Sequence, residues 1–273
     1  MSEGSLSPLA EVVPAEQALR LLSHGEMELE GRLVDASNTT LRAFVTLDGV
    51  SVRCVYKPVG GERPLWDFPD GTLAGREVAA YAVSAATGWD VVPPTVLRDG
   101  PLGPGACQLW VEESDQPFVG FVPTEELPDG WLRIAAARDD DGRAYLLAHA
   151  DDEVLAQMAV FDVVVNNADR KGGHVLNTVD GRRYGVDHGV CFHVEDKLRT
   201  VLWGWAGRPL PEGEREVLLA LQADLAGTLG GELRVHVSGD EVDATLARVD
   251  TLLAEGVFPE PPPDRRAIPW PPI

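Results

Sequence analysis

The sequence predicts an α+β protein with two lobes, a small β-rich lobe followed by a larger, mainly helical lobe. Runs that alternate between polar and apolar residues follow one another early in the chain, and long helical patterns fill its second half. The chain has 273 residues, 44% of them hydrophobic, which is enough apolar material for two lobes with a real core. A cleft between two lobes is a favoured place for a ligand.

The first part of the chain divides into an N-terminal helical extension, residues 1–25, and the β-rich lobe, residues 26–113. The extension contains a predicted helix over Ala15–Gly25. Gly88 is predicted to end the helix of the β-rich lobe, because glycine readily adopts the left-handed conformation found after helices. The predicted strands of this lobe are MELEGRLVD, LRAFVTLD, VSVRCVYKP, TVLRDG and CQLWVEE, and the helix TLAGREVAAYAVSAATG lies between the third and the fourth.

The helical lobe is assigned to residues 114–258. Its first helix, DDEVLAQMAVFDVVVNN, begins with acidic residues suited to a helix N-terminus and then becomes strongly apolar, which predicts a buried helix. Two further helices are predicted in EGEREVLLALQADLAG and DEVDATLARVDTLLAEG. The last residues, 259–273, form a proline-rich tail, and docking of Trp270 and Ile273 on the body is favoured over the binding of a partner.

Composition excludes several classes of function. The net charge of −21 produces a surface that repels nucleic acid phosphates and anionic lipid head groups at long range. No apolar window is long enough for a membrane span, and the N-terminus lacks the pattern of a secretory signal. Cys54, Cys107 and Cys191 lie far apart and suggest neither a disulfide framework nor a metal cluster. A reduced, cytoplasmic protein with no nucleic acid partner and no membrane span is therefore expected.

The polar stretch NNADRKGGHVL, residues 166–176, interrupts an otherwise apolar region and leads into a predicted hairpin. Asp180-Gly181 between two strand-like runs predicts a two-residue type I′ turn. That turn would place Tyr184 opposite Asn177 and Asp187 opposite His174. A histidine and a carboxylate would then lie side by side at the open end of the hairpin. Asp169 lies five residues before His174, in the loop that leads into the hairpin.

The order NADRKGGHVL, hairpin, YGVDHGVCF resembles the phosphatidylinositol 3-/4-kinase-like superfamily of atypical kinases. In these kinases an Asp-Arg pair precedes a metal-binding residue, and a second metal-binding Asp follows a short hairpin. Over nearly its full length the chain also resembles an uncharacterised actinobacterial kinase-like family. The resemblance implies a two-lobed protein-kinase-like fold.

Carried over to this chain, the resemblance implies a role for each matching position in the second lobe. Asp169 matches the catalytic aspartate that orients the acceptor hydroxyl, and Arg170 matches the arginine that braces the loop. Asp187 matches the metal-binding aspartate before the glycine of the Asp-x-Gly motif. His174 occupies the metal-ligand position usually held by asparagine, and His188 replaces the usual phenylalanine.

The β-rich lobe would hold the nucleotide. Lys57, at the end of VSVRCVYKP, matches the lysine that pairs with the phosphates, and Glu77 matches the glutamate that holds this lysine. No G-x-G-x-x-G loop is present. The remaining predicted nucleotide contacts are Ser37, Asn38 and Thr39 in the first turn and Gln108, Trp110 and Val111 in the hinge.

These assignments predict an ATP-dependent phosphotransferase that uses Mg²⁺ or Mn²⁺ and moves the γ-phosphate to a hydroxyl of a protein or soluble small molecule. The acidic charge makes a lipid substrate less favoured. Two alternatives stay open. A nucleotide-binding pseudokinase that serves as a regulatory scaffold is suggested by His174 in place of asparagine. Nucleotidyl transfer, in which AMP moves, would use the same residues.

Overall fold

The computed structural model describes residues 13–33, 38–69 and 71–273, and this part of the chain forms the predicted two-lobed α+β fold. The first lobe is a five-stranded antiparallel sheet in the order β1-β2-β3-β5-β4. Its elements are α1 Ala15–His24, β1 Glu26–Arg32, β2 Leu41–Leu47, β3 Val50–Pro58, α2 Leu73–Thr87, β4 Thr95–Gly100 and β5 Gly103–Leu109.

The helix α2 ends at the glycine that its sequence predicts, and its N-terminus carries a side-chain cap. The Thr72 side chain accepts a hydrogen bond from Gly75 N at 2.9 Å, which satisfies an N-terminal amide. Gly88 follows the helix with a φ of +67°, as expected for a left-handed residue after a helix. The fifth strand was predicted four residues too late, at residues 107–113, whereas β5 begins at Gly103 and ends at Leu109.

The second lobe opens with a three-stranded antiparallel sheet that the sequence prediction lacked. It is formed by β6 Val119–Pro123, β7 Trp131–Arg138 and β8 Ala144–Ala150, in the order β6-β8-β7. The alternation that marks a strand is hidden here. The pairing of β7 shifts between Arg133 and Ala135, and its Ala-rich second half favours a helix by intrinsic propensity.

The regular elements in the rest of the second lobe are helices and one hairpin. The Asp152 carboxylate begins α3 by accepting hydrogen bonds from Val154 N and Leu155 N. Ser238 and Glu241 form a capping box at the start of α6. The elements are α3 Glu153–Val164, β9 Val175–Asn177, β10 Arg183–Gly185, α4 Glu212–Leu225, α5 Thr228–Leu233 and α6 Gly239–Glu255.

One large hydrophobic core joins α2 of the first lobe to the helices of the second lobe. A buried ion pair between Arg76 on α2 and Glu241 on α6, 2.7 Å apart, lies beside this core. A smaller cluster packs α1 against the sheet through Leu22, Ala43 and Val45. Because α2 carries Glu77 and is anchored in the second lobe, the core places that glutamate against the segment around residue 188. Among the described residues, no helix is both long and apolar enough to cross a membrane.

Candidate active site

The hairpin of β9 and β10 differs by one residue from the predicted register. Tyr184 lies opposite Leu176 rather than Asn177. The loop has three residues, 179–181, and Gly181 N donates to Thr178 O at 3.0 Å with a φ of +84° at Gly181. This is a turn with a glycine bulge, which accepts the Asp-Gly dipeptide as well as a type I′ turn does. The two-residue turn was therefore a wrong prediction.

His174 and Asp187 nevertheless meet, for a different reason. Val186, not Asp187, is the residue opposite His174, and Val186 N donates to His174 O at 3.0 Å. Asp187 follows with a φ of +64°, a left-handed conformation that aspartate tolerates better than most residues. The carboxylate thereby turns back toward the hairpin, and Asp187 Oδ2 lies 3.5 Å from His174 Nε2.

Lys57 connects the two lobes through two carboxylates. Its Nζ lies at hydrogen-bond distance from Glu77 Oε1 on α2 and 3.1 Å from Asp187 Oδ1. The other oxygen of Glu77 accepts a hydrogen bond from His188 N at 3.0 Å. Burial works to lower the pKa of Lys57, but the charges of Asp187 and Glu77 outweigh it and raise that pKa above its ordinary value. Lys57 is therefore a permanent cation where the two lobes meet.

Asp187 is the most accessible carboxylate of this group. Its side chain is 54% exposed, whereas that of Glu77 is 3% exposed. The Lys57 ammonium holds the pKa of Asp187 well below its usual range. Asp187 therefore presents an ionised oxygen toward solvent, while Glu77 is occupied by Lys57 and the His188 backbone.

His174 is held as a neutral ring with one free lone pair. Its Nδ1 lies 3.0 Å from Asp169 O, a contact in which the ring N–H donates to the carbonyl. Burial lowers the pKa of His174 to about 4, so the ring is uncharged at neutral pH. The proton on Nδ1 leaves Nε2 as an acceptor that faces Asp187. Metal-binding histidines are commonly oriented in this way, by a carbonyl on the second nitrogen.

Asp169 is held in the loop by its neighbours. Its backbone N–H donates to Asn167 Oδ1 at 3.0 Å, and its carboxylate lies 3.1 Å from Lys171 Nζ. Burial raises the pKa of Asp169, and the adjacent Lys171 opposes that rise. The side chain stays 34% exposed, so a substrate can reach it.

Arg170 is fully buried and joins three segments. Its Nε and Nη2 donate to Asp162 on α3 at 3.1 and 2.9 Å. Its Nη1 donates to Val186 O at 2.9 Å, at the end of the hairpin. Its Nη2 also lies 2.7 Å from His188 Nε2, which accepts because it faces a guanidinium. One arginine thus fixes α3, the hairpin and the Asp-His-Gly segment relative to one another.

Comparison with known proteins shows the family of the chain. The chain is 48% identical over 261 residues to Protein Rv2133c of Mycobacterium tuberculosis, and the match covers 92% of this chain and 94% of that protein. The chain belongs to the Rv2133c family. No protein-family model matches the chain.

Two solved structures resemble the Rv2133c-family fold described above. One is that of hydra Fam20 with sugar, with a TM-score of 0.51 and 13% identity, covering 90% of this chain and 89% of that one. The other is the Golgi casein kinase with Mn/ADP bound, with a TM-score of 0.54 and 13% identity, covering 88% and 75%. At this identity the likeness concerns the fold alone, and the prediction of an atypical-kinase-like fold is confirmed.

A divalent metal fits the pair formed by His174 and Asp187. The pair presents a carboxylate oxygen and an imidazole lone pair 3.5 Å apart, and both atoms belong to ligand types that bind divalent ions. Mg²⁺ prefers oxygen ligands, whereas Mn²⁺ accepts imidazole nitrogen readily. In the part of the chain that the structure describes, no group of three or more His, Cys, Asp or Glu side chains is suited to a metal.

Asp162, Asn167 and Lys171 are parts of this site that sequence reasoning missed in the Rv2133c-family chain. Asn167 Nδ2 donates to Asp162 Oδ1 at 3.0 Å, so the carboxylate holds both the loop asparagine and Arg170. A usable signal was present for Asp162, because a carboxylate within the apolar run MAVFDVVV needs a buried partner. The signal for Lys171 was its position two residues after Asp169.

Two of the three residues predicted to contact the nucleotide from the first turn, Asn38 and Thr39, form hydrogen bonds within the protein. Ser37 lies outside the described residues. Asn38 Oδ1 accepts a hydrogen bond from Arg63 N at 2.9 Å, and Thr39 N donates to Gly61 O at 3.1 Å. The turn is therefore tied to the loop that follows Lys57, and its contact with a nucleotide stays a prediction.

The three residues predicted to contact adenine from the hinge lie in two different settings. Gln108 is buried in β5, and its Nε2 donates to Thr95 Oγ1 at 2.9 Å. Its side chain therefore belongs to the sheet. Trp110 N donates to Arg53 O at 3.0 Å, and Val111 follows beyond the end of the strand. Contacts of this segment with an adenine stay a prediction.

Proposed function

We propose that this protein is an ATP-dependent phosphotransferase that moves the γ-phosphate to a hydroxyl of a protein or soluble small molecule. The observation that carries the proposal is the contact of Lys57 with both Glu77 and Asp187, next to a loop that presents Asp169. The order of Asp169 and Arg170 favours the phosphatidylinositol 3-/4-kinase-like branch of the atypical kinases.

Lys57 would bind phosphate oxygens of the nucleotide, and Glu77 would keep its ammonium in place. A permanent cation fixed by a buried carboxylate stabilises the charge of transferring phosphate without reorganisation. Asp187 and His174 would hold Mg²⁺ or Mn²⁺, which neutralises phosphate charge when it is bound. The similarly folded Golgi casein kinase, whose structure has Mn/ADP bound, supports this choice of cofactors.

Asp169 would accept the hydrogen bond of the acceptor hydroxyl and orient it toward the phosphate. Burial raises its pKa, which makes the carboxylate a better proton acceptor than a solvated aspartate. Lys171, 3.1 Å away, would balance the negative charge that gathers as phosphate and carboxylate approach each other. Arg170 would act as a positioning residue, since its guanidinium is fully buried beneath the loop.

The remaining assignments are part of the same proposal. Net charge −21 disfavours nucleic acid partners, anionic membranes and lipid substrates. We propose lobe limits of 26–113 and 114–258, with a nucleotide cleft at the segment after β5, which ends at Leu109. A reduced, cytoplasmic setting is supported by three buried cysteines that form no disulfide in the described chain.

A pseudokinase is the second candidate, and one observation favours it. His174 stands where related kinases have asparagine, and its imidazole is a poor ligand for Mg²⁺. Such a protein would bind ATP without turning it over, with either metal. Transfer of AMP rather than phosphate would use the same residues.

Thermal melting with nucleotide and transfer of label from ATP together separate these functions. We expect ATP with Mn²⁺ or Mg²⁺ to raise the melting temperature, and Asp187→Ala to remove that increase. Asp243→Ala is the matched control, because this carboxylate is 69% exposed and pairs with Arg234 on the surface. Transfer of label from γ-labelled ATP supports a kinase, transfer from α-labelled ATP supports nucleotidyl transfer, and binding without either supports a pseudokinase. Absence of nucleotide stabilisation in the wild type contradicts all three.

A further inference from the structure

A cavity of about 300 Å³ lies directly beside the catalytic-loop aspartate. Its walls come from three parts of the chain that are distant in sequence: the catalytic loop, the segment before residue 200, and the C-terminal segment 259–273. Its volume is at the small end of the range for small-molecule sites. The residues that line it are Asp169, Arg199, Arg266, Pro269 and Trp270.

The C-terminal segment is docked against the catalytic loop through its backbone, although the two side chains expected to dock, Trp270 and Ile273, are 76% and 47% exposed. Ala267 O accepts hydrogen bonds from Thr200 N at 3.0 Å and from Trp203 Nε1 at 2.9 Å. Pro272 O accepts a hydrogen bond from Gly172 N at 2.8 Å, three residues after Asp169. Both ends of the cavity wall are therefore attached to the body, and the wall keeps its shape.

The charge of the cavity is opposite to that of the protein as a whole. Arg199 and Arg266 line it, on a chain whose net charge is −21. Across residues 13–33, 38–69 and 71–273, neither arginine takes part in an ion pair. The charge of Arg199 also acts on Asp169, where it lowers the pKa that burial raises. Two guanidinium groups against the single carboxylate of Asp169 leave the cavity with an excess positive charge, which favours a negatively charged ligand.

Trp270 supplies the remaining wall. Its indole is 76% exposed, although most tryptophans in folded proteins are well buried. An exposed ring next to two arginines offers an apolar face for the carbon skeleton of a polar molecule. The neighbouring backbone is held by the hydrogen bond at Pro272 O, so this exposure belongs to a fixed segment.

We propose that this cavity is the acceptor subsite, and that the acceptor is a small hydroxylated molecule carrying a phosphate or carboxylate group. Arg199 and Arg266 bind the anionic group, Trp270 covers the carbon skeleton, and a hydroxyl is left facing Asp169. The assignment of Asp169 as the residue that orients the hydroxyl rests on the proposed phosphotransferase function. The volume of the cavity suits a single monosaccharide-sized molecule better than a folded protein partner.

Calorimetric titration of the full chain, without nucleotide, tests the subsite. The probes are glucose 6-phosphate, glucuronate and glucose, which differ at one carbon and offer phosphate, carboxylate or neither. We expect the two anions to bind and glucose to give no measurable heat. Arg199→Gln and Arg266→Gln each weaken binding of the anions by about tenfold or more, the effect of losing one charge-assisted contact. Trp270→Ala weakens both anions by roughly threefold or more and keeps the preference for charge.

Arg20→Gln is the matched control, because this arginine pairs with Asp48 on the surface, 2.9 Å away, and lies outside the cavity. Its affinities should stay within about twofold of the wild type. The stronger of the two anions identifies the charged group that the acceptor carries. Binding of neither anion at millimolar concentration, equal binding of glucose, or unchanged binding in both arginine variants overturns the proposal.

Nucleotide binding of the same proteins separates the subsite from the proposed function. Stabilisation by ATP and metal should be unchanged in Arg199→Gln and Arg266→Gln, since both residues lie on the acceptor side of Asp169. Arginine-dependent anion binding without any nucleotide binding supports the subsite and contradicts the phosphotransferase. Nucleotide turnover without arginine-dependent anion binding contradicts the subsite and leaves the phosphotransferase standing.

Discussion

Lys57 Nζ lies 3.1 Å from Asp187 Oδ1, although the two residues are 130 positions apart in the chain. One belongs to the sheet of the first lobe and the other to the segment after the hairpin of the second. The contact therefore reports the closure of the two lobes on each other, and Glu77 fixes the lysine from α2. Substitutions at these residues separate binding, turnover and stability.

Lys57→Met should abolish turnover while the protein stays folded. The variant loses the cation proposed to bind phosphate, and we expect the rate to fall by roughly 100-fold or more. The rate of phosphate transfer from ATP measures this, and circular dichroism checks the fold. Lys197→Met is the control, because its Nζ pairs with Asp67 at 3.1 Å, away from the two carboxylates. Full activity in Lys57→Met contradicts the assignment.

Asp162→Ala should destabilise the protein strongly. It leaves the guanidinium of Arg170, whose side chain is 0% exposed, without its carboxylate. Breaking a buried ion pair on one side costs about 3–5 kcal/mol of unfolding free energy. Urea denaturation measures the loss. The surface pair of Arg234 and Asp243 supplies the comparison, and Arg234→Ala should cost about 1 kcal/mol or less. Equal losses in the two variants would show that Arg170 is held by other contacts.

His174→Asn should change the preference for metal. The substitution replaces an imidazole nitrogen with an amide oxygen, and oxygen suits Mg²⁺ whereas imidazole suits Mn²⁺. We expect wild-type turnover to be higher with Mn²⁺ and the variant to gain with Mg²⁺, so that the Mn²⁺/Mg²⁺ ratio falls about tenfold. Turnover with each metal at saturating ATP gives the ratio. An unchanged ratio means that the residue at position 174 is not a ligand.

Acid should destabilise the protein through His149, outside the active site. Burial lowers the pKa of His149 to about 4 from 6.5, and its Nε2 accepts a hydrogen bond from Gly204 N at 3.0 Å. The charge of Asp151 opposes that shift, while the charge of Arg208 adds to it. Because the folded-state pKa is depressed, the unfolded chain binds the proton first. The contribution is fully present above pH 6.5 and is lost as the pH falls toward 4.

Replacement of His149 by glutamine isolates the contribution of this histidine to the pH dependence of the unfolding free energy. Unfolding free energies of the wild type and His149→Gln are compared at pH 7.5, 5.5 and 4.5. We expect the difference between the two proteins to shrink as the pH falls, because only the wild type gains a proton on unfolding at this position. A difference that does not depend on pH would show that His149 titrates normally in the folded protein.

Patterns within short stretches of the sequence predicted much of the fold. The acidic start and apolar run of α3 and the glycine after α2 at position 88 are signals that depend on neighbours in sequence, and each predicted its element. Patterns failed where packing decided the outcome. The three strands within residues 119–150 carry an alanine-rich run and a register shift, so their alternation could not be detected. The hairpin register failed because Asp-Gly suits two turns that differ by one residue.

The sequence by itself determined the order of the candidate residues, Lys57, Glu77, Asp169, His174 and Asp187, and the elements that carry them. Only the tertiary structure decided that Asp162 lies under Arg170 and that Trp270 lies beside Asp169. The physical reason is the distance along the chain over which each kind of interaction acts. Helix and strand periodicity records which side of an element is buried, but a buried charge finds its partner through the packing of distant segments.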